Sequence, residues 1–401
     1  MNPSRRSAAA FAAGIAVFLF AAPEAFARKP AQPQGLPRQP ALERPAERAA
    51  FTAEDAAAAR IAGIPEARFF ADDVAAYDAA LASAAPGEPW LVLSGGGENG
   101  AFSAGVLKGW TAAGTRPAFS VVTGVSTGAL IAPFAFAGAR YDGFLEEAYT
   151  AITAADIFEF GAKAESLVDS WPLKRLIERH VTPELLADVA AEHRKGRRLL
   201  VVTTNVDAQR PVAWNLGAIA AEGSPAAQKL FRDVLLASAS IPGVFPPVRI
   251  DTQANGRAFE ELHADGGITT PFFLAPEAAV LGRARTERTG AQKVYVLVNN
   301  SLRPEFEVTD RMLVAVLGRS LSAAVKAGTR AAIAAHGAYG RRHGVDLQFA
   351  AIDARFTAVA KGPFDQAYMK ALFGHAERLA RDGAAFGADP LSAPEAAVAR
   401  K

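Results

Sequence analysis

The sequence predicts an α/β fold, a three-layer α/β/α sandwich with a mostly parallel central sheet. Three observations carry this expectation. Short apolar runs alternate with longer helical text: Trp90-Leu91-Val92-Leu93, Phe119 to Val122, Arg198 to Thr204 and Val294 to Val298. Strands alternating with helices make parallel sheets covered by helices on both faces. The Arg198 run is apolar almost throughout, so neither of its faces is wet. Two of the runs break into glycine-rich turns that open helices, Ser94-Gly95-Gly96-Gly97-Glu98-Asn99-Gly100 and Gly124-Val125-Ser126-Thr127-Gly128. In open α/β sheets ligands sit at such strand ends.

The composition fits that class. The chain has 401 residues, 50% hydrophobic and 21% charged, with a net charge of +2. That suffices for a large buried core and offers no reason to expect a nucleic-acid footprint, which needs a clustered basic face. Cysteine is absent, which excludes disulfides, thiol catalysis and cysteine-based zinc sites. The six histidines are scattered without an H-E-x-x-H spacing, and no metal or cofactor is expected.

The elements follow in order. Arg5 and Arg6 precede the apolar run Ala8 to Ala22, and Ala25-Phe26-Ala27 supplies a cleavage pattern. Residues 1–27 thus have the form of a secretory signal peptide, which predicts export to a periplasm or the exterior; an uncleaved anchor is the alternative. Residues 28–51, rich in proline and alanine, read as a linker. Residues 52–87 read as a helical N-terminal extension closed by Ala85-Pro86-Gly87, 88–383 as the main domain, and 384–401 as a flexible tail. Within the domain, Ala101 to Trp110 is a small-residue helix and Thr127 to Ala137 a second one carrying Pro133. Trp171 to His193 is two helices split at Thr182-Pro183, a helix-start pair. Arg198 to Thr204 is a buried strand with Pro211 to Trp214 as its hairpin partner. Ser224-Pro225 opens a helix that ends before Ile241-Pro242. Phe259 to Ala264 is a short strand that stops at Asp265-Gly266-Gly267. Arg311 to Arg342 is helical, Asp346 to Ile352 is a final strand, and Asp365 to Arg381 is helical.

The chemistry concentrates at the two glycine turns. Gly124-Val125-Ser126-Thr127-Gly128 fits G-x-S-x-G, the sharp strand-to-helix turn that lifts a serine hydroxyl clear of a sheet. Gly95 to Gly100 also fits G-x-G-x-x-G, but a dinucleotide site needs an acidic residue about 20 positions on, at the end of the second strand. That strand ends in Thr123-Gly124-Val125-Ser126, without an acid, and no Gly-Lys-Ser/Thr follows the loop. What the loop offers is a run of bare backbone N–H groups at a helix start, where an anion is favoured. Donors fixed this way can hold the oxyanion of an acyl-transfer intermediate.

Ser126 needs a base. Asp265 followed by His336, His343 or His375 gives the order of a Ser-Asp-His hydrolase, yet these histidines lie in helical text. His263 precedes Asp265 by one strand period, so the two share a face, and it reads as structural. In the other arrangement Asp265 takes the serine proton directly. Burial raises the proton affinity of an aspartate, and a fixed short contact removes the cost of assembling the pair.

Ser94-Gly95-Gly96-Gly97 to Gly100, the Ser126 pentapeptide and Asp265-Gly266-Gly267, in this order and spacing, resemble the patatin-like phospholipase family. The resemblance covers about Trp90 to Asn300, with Ile352 as its outer bound. Thr203-Thr204-Asn205-Val206-Asp207, Ala237-Ser238-Ala239-Ser240-Ile241-Pro242 and Phe245-Pro246-Pro247 are similar to bacterial members. The resemblance implies a three-layer α/β/α fold, a Ser-Asp dyad without histidine, and hydrolysis of lipid acyl esters in the manner of a phospholipase A, lysophospholipase or esterase. Its partner would be a lipid or acyl-ester substrate, met through peripheral membrane contact, with no nucleic acid. Carried over by position, Ser126 is the nucleophile and Asp265 the base. Gly95, Gly96 and Gly97 form the oxyanion hole, with Gly100, Gly124, Gly128, Gly266 and Gly267 in support. The family loop usually reads G-G-G-x-Arg/Lys-G. Here Asn99 stands at the basic position and Glu98 beside it makes the mouth more acidic, which bears on headgroup preference more than on ester chemistry. Asn99 also motivates a different reading, a catalytically weak lipid- or partner-binding protein on the same fold.

Overall fold

The computed structural model of the chain describes residues 47–84, 88–160, 166–286 and 293–391, save 305, 307, 310 and 312. The expected signal peptide, most of the expected linker, the Ala85-Pro86-Gly87 turn and the tail from 392 lie outside the described residues.

Among the described residues nine strands join in one sheet: β1 (Arg68–Phe70), β2 (Trp90–Leu93), β3 (Val121–Val125), β4 (Arg198–Asn205), β5 (Arg210–Asn215), β6 (Val248–Ala254), β7 (Arg257–Asp265), β8 (Lys293–Ser301) and β9 (Asp346–Ile352). The order across it is β1-β5-β4-β3-β2-β8-β9. The five from β4 to β9 run parallel, as the unbroken apolar runs predict. The β5 and β1 end is antiparallel. Every residue of β2, β3 and β4 is buried, because helices cover both faces.

Alternate residues feed two cores. Leu91, Leu93, Val122, Leu199 and Val201 face one side, with α1 (Gly100–Ala112), α2 (Thr127–Ala137), α3 (Asp142–Thr150), α4 (Trp171–His180) and α5 (Pro225–Ser238). Trp90, Val92, Val121, Leu200 and Val202 face the other, which the second half of α6 (Leu313–His343) covers through Ile333 and Tyr339. A last helix, α7 (Gln366–Arg381), lies against α1 on the first face. No helix among the described residues is long and apolar enough to cross a membrane.

Four segments differ from the reading of the sequence. Residues 52–84 hold two short helices and also β1, which pairs with β5 and so belongs to the main sheet. The strand expected at Phe259 to Ala264 is longer and is one arm of a hairpin with β6, a strand the apolar pattern does not flag. Its turn is Asn255-Gly256, with φ of +54° and +76°, the pair that a tight two-residue hairpin favours. The ends of the expected linker and tail are also anchored. Arg48 makes a two-pronged ion pair with Asp207, and Phe51 stacks on Phe259. Phe386 packs against Trp110 and Tyr295, and Gly387 exchanges backbone hydrogen bonds with Phe349.

Helices α1 and α7 approach backbone to backbone. A Cβ placed on Gly109 would lie 2.1 Å from the Glu377 carbonyl oxygen, and one on Gly105 would lie 2.3 Å from that of Phe373. Alanine in a helix interior gains about 1 kcal/mol over glycine, whereas forcing extra atoms into a packed contact costs about 1–3 kcal/mol. The clash is with backbone that no rotamer can relieve, so packing wins. Gly109→Ala should therefore lower the urea midpoint with an unchanged m-value, against the gain that helix propensity alone would give.

Candidate active site

The serine turn is built by close approach. Ser126 follows β3 directly and stands before α2 with φ +55° and ψ −124°, a conformation that costs a non-glycine residue about 1–3 kcal/mol. A Cβ on Gly124 would lie 2.4 Å from the Gly128 carbonyl oxygen, and one on Gly128 would lie 2.4 Å from that of Leu93. The flanking glycines let strand, turn and helix touch. A hydroxyl from α5 completes the turn: the Ser126 N–H donates to Ser238 Oγ at 3.0 Å, and Ser238 Oγ–H donates to the Val202 carbonyl at 2.7 Å.

The aspartate reaches the serine along β4. One edge of β4 pairs with β3 as far as Val125 opposite Val202. The next position, Thr203, is opposite Asp265 at the end of the antiparallel β7. The two strands meet end to end on a shared edge, so the residue after Val125 and the last residue of β7 come together. Ser126 Oγ–H donates to Asp265 Oδ2 at 2.6 Å. The other oxygen, Oδ1, accepts the Gly267 N–H at 2.7 Å. The Asp265 backbone is fixed too, its N–H by the Ser240 carbonyl and its carbonyl by the Thr204 hydroxyl. Burial pushes the Asp265 carboxyl up to about 6, against the opposing pull of the Ser126 and Gly267 hydrogen bonds.

The glycine loop needs one correction. The Gly95 N–H is committed to the Pro271 carbonyl at 3.1 Å and is not available to a substrate oxygen. The N–H groups of Gly96 and Gly97 carry no hydrogen bond among the described residues. Behind the loop sits Asn299, at the end of β8. Its carbonyl oxygen would be 2.1 Å from a Cβ on Gly96. Its side chain accepts from Ser103 Oγ at 2.6 Å and donates to the Ser94 carbonyl at 2.9 Å. Asn300 adds a bond to the Gly95 carbonyl at 3.2 Å.

From Ser126 and Gly97 opens a pocket with about 880 Å³ of non-atom space, part of it open to solvent. It runs between α3 and α4 over α2, walled by apolar side chains such as Leu130, Phe134, Phe144, Leu173, Ile177 and Phe245. A buried hydroxyl–carboxylate pair, two free amides and an apolar trough suit acyl transfer from an ester with a hydrocarbon chain.

Residues 91–276 match the family described as patatin-like phospholipase. The chain carries a patatin-like phospholipase domain. Among solved structures it is similar to VipD from Legionella pneumophila, at 13% identity over 75% of this chain and 68% of that one, with a TM-score of 0.39. No curated protein matches the chain.

The histidines expected as alternatives lie apart from the pair. Neither Ser126 nor Asp265 has a hydrogen bond to a histidine among the described residues. His263 is fully buried, with Nδ1 on Thr203 Oγ1 and Nε2 on Glu261 Oε2, and Trp214 packs edge-on against it. Desolvation lowers its proton affinity. His336 bonds to the Ala332 carbonyl one turn back, and burial pushes it down to about 4. His375 lies near Asp353.

Two loop residues differ from expectation. Glu98 and Asn99 do not line an acidic mouth; both are buried and turned toward the chain before and within α7. Gly100 contributes by close approach, since a Cβ there would meet Thr127 Oγ1 and the Tyr149 ring at 2.4 Å. Gly266 is similarly confined, since a Cβ there would lie 2.4 Å from the Val202 carbonyl oxygen. Ser238 and Asn299 are the residues that reading by motif missed. Ser238 stands in the Ala237-Ser238-Ala239-Ser240 stretch, whose only sequence signal is that resemblance. Because Ser238 shields the strained turn's N–H, Ser238→Ala should destabilise the domain by about 1–3 kcal/mol, the cost of a buried polar group left unpaired. Denaturant unfolding would measure this loss.

Proposed function

We propose that the domain is a serine lipid acyl hydrolase working through a Ser126–Asp265 dyad. Asp265 Oδ2 accepts the hydroxyl proton as Ser126 Oγ attacks the ester carbonyl. The developing oxyanion takes hydrogen bonds from the Gly96 and Gly97 amides. As the intermediate collapses, Asp265 returns the proton to the departing alkoxide and the alcohol leaves an acyl-serine. Water then attacks the acyl carbonyl and gives its proton to Asp265, which passes it to Ser126 Oγ as the acid leaves, so that the hydroxyl and the carboxylate are both restored. The acyl chain lies in the trough between α3 and α4.

One observation carries this reading: the 2.6 Å bond from Ser126 Oγ to a buried carboxylate, at the head of an apolar pocket. A serine hydroxyl is a weak nucleophile unless a positioned base removes its proton. Here burial strengthens a base that would be feeble in water. The binding-only alternative rested on Asn99, and that side chain points away from the mouth toward Tyr368.

Two outcomes are expected. In assays of nitrophenyl esters and of lipids extracted for fatty-acid release, folded Ser126→Ala and Asp265→Asn should each lose on the order of a thousandfold or more in kcat. Retained turnover in Ser126→Ala would overturn the proposal. The pH profile supplies the second. Asp265 accepts a proton only when ionised, so kcat/KM should rise with pH through about 6 and level off above it. Glu98 is also raised, to about 7, so the limb should persist in Glu98→Gln. A flat profile between pH 5 and 8 would remove Asp265 as the base.

A further inference from the structure

Residues beyond 276, where the family match ends, complete the glycine loop. Two side chains within its 3-10 turn, Gly97–Asn99, reach across to the start of α7. Tyr368 O–H donates to Asn99 Oδ1 at 2.7 Å, with both residues buried. Glu98 Oε2 accepts the backbone N–H of Phe364. Phe364 holds φ at +49°, a strained value for a bulky residue, and its side chain lines the pocket beside Gly97. The contacts are made on a rigid base, because Gly105 and Gly109 bring α1 against the α7 backbone without a gap.

We propose that Asn99 and Tyr368 are positioning residues that clamp the Gly96 and Gly97 amides to the first turn of α7. The kinetic consequence rests on the hydrolase reading; the clamp itself does not. The plain alternative is that a buried tyrosine hydroxyl simply needs a partner. What favours the clamp is its placement. Asn99 lies two residues from Gly97, and the neighbouring Glu98 ties the same turn to the residue that walls the acyl pocket. The identity of residue 99 also fits. An amide oxygen can accept the phenol proton, whereas a lysine or arginine has donors only and would bring a cation into a buried site. Phe364 thereby serves as pocket wall and tether at once, so the chain in the trough and the amides at its head share one support.

The test is a double-mutant cycle of Tyr368→Phe and Asn99→Leu, read in two ways. On a short-chain nitrophenyl ester each single variant should lose roughly tenfold in kcat, about what one neutral buried hydrogen bond supplies, with KM little changed. The double variant should be no worse than the poorer single to within about twofold, the scatter of additive cycles. Hydrogen exchange of the peptide spanning 94–100 should quicken in Tyr368→Phe while the β3 and β4 amides keep their protection. Multiplicative losses in the cycle, a change confined to KM, or unaltered exchange at 94–100 would each overturn the clamp. If Asn99→Leu does not fold, Tyr368→Phe with the exchange measurement decides alone. If the wild type proves inactive on every ester, the hydrolase reading falls and the exchange result still judges the clamp.

Discussion

The arrangement of the whole domain turns on the edge of β4. A strand edge is a row of backbone groups that must be paired. Here two strands of opposite direction divide that row between them, β3 taking it to Val202 and β7 from Thr203 to Asn205. Where they abut, Ser126 leaves one strand and Asp265 ends the other. The hydroxyl–carboxylate contact is thus a consequence of sheet pairing more than of loop conformation. That suits chemistry needing sub-ångström placement.

Holding the pair has costs that the surroundings offset. The serine turn is strained, and the carboxylate is buried without a cation beside it among the described residues. Five hydrogen bonds answer these demands: Ser238 on the turn, Gly267 and Ser126 on the carboxylate, Ser240 and Thr204 on the Asp265 backbone. The same burial that makes those hydrogen bonds necessary raises the aspartate's proton affinity. Polar satisfaction and the placement of the pair are one requirement at this site.

Much of this is legible in the chain and some is not, for physical reasons. Strands β2, β3, β4 and β8 are plain because both their faces are buried and their text is continuously apolar. The β6 strand has one wet face, so Val248, Ile250, Thr252 and Ala254 alternate with Arg249, Asp251 and Gln253; a reading by continuous apolar runs passes over it, and that alternation with the Asn255-Gly256 turn is its signal. Ser126 and Asp265 stand out by motif, and their glycine neighbours by spacing. The capture of the Gly95 amide by Pro271, the bracing of the turn by Ser238 and the inward course of Glu98 and Asn99 are not visible. Each depends on a partner at least 112 positions away along the chain, and local pattern says nothing about where such a partner ends up.

The pair's 139-residue separation also bears on when the site is assembled. A nascent chain that has emerged only through α2 already owns the hydroxyl and the bare amides, but not the Asp265 carboxylate. Contacts of such long range close late, since the intervening loop entropy must be lost first. The carboxylate arrives only once the β6–β7 hairpin has docked on β4. A site built this way is incomplete until residues 248–265 have been made and paired, and a product truncated before them lacks half of it.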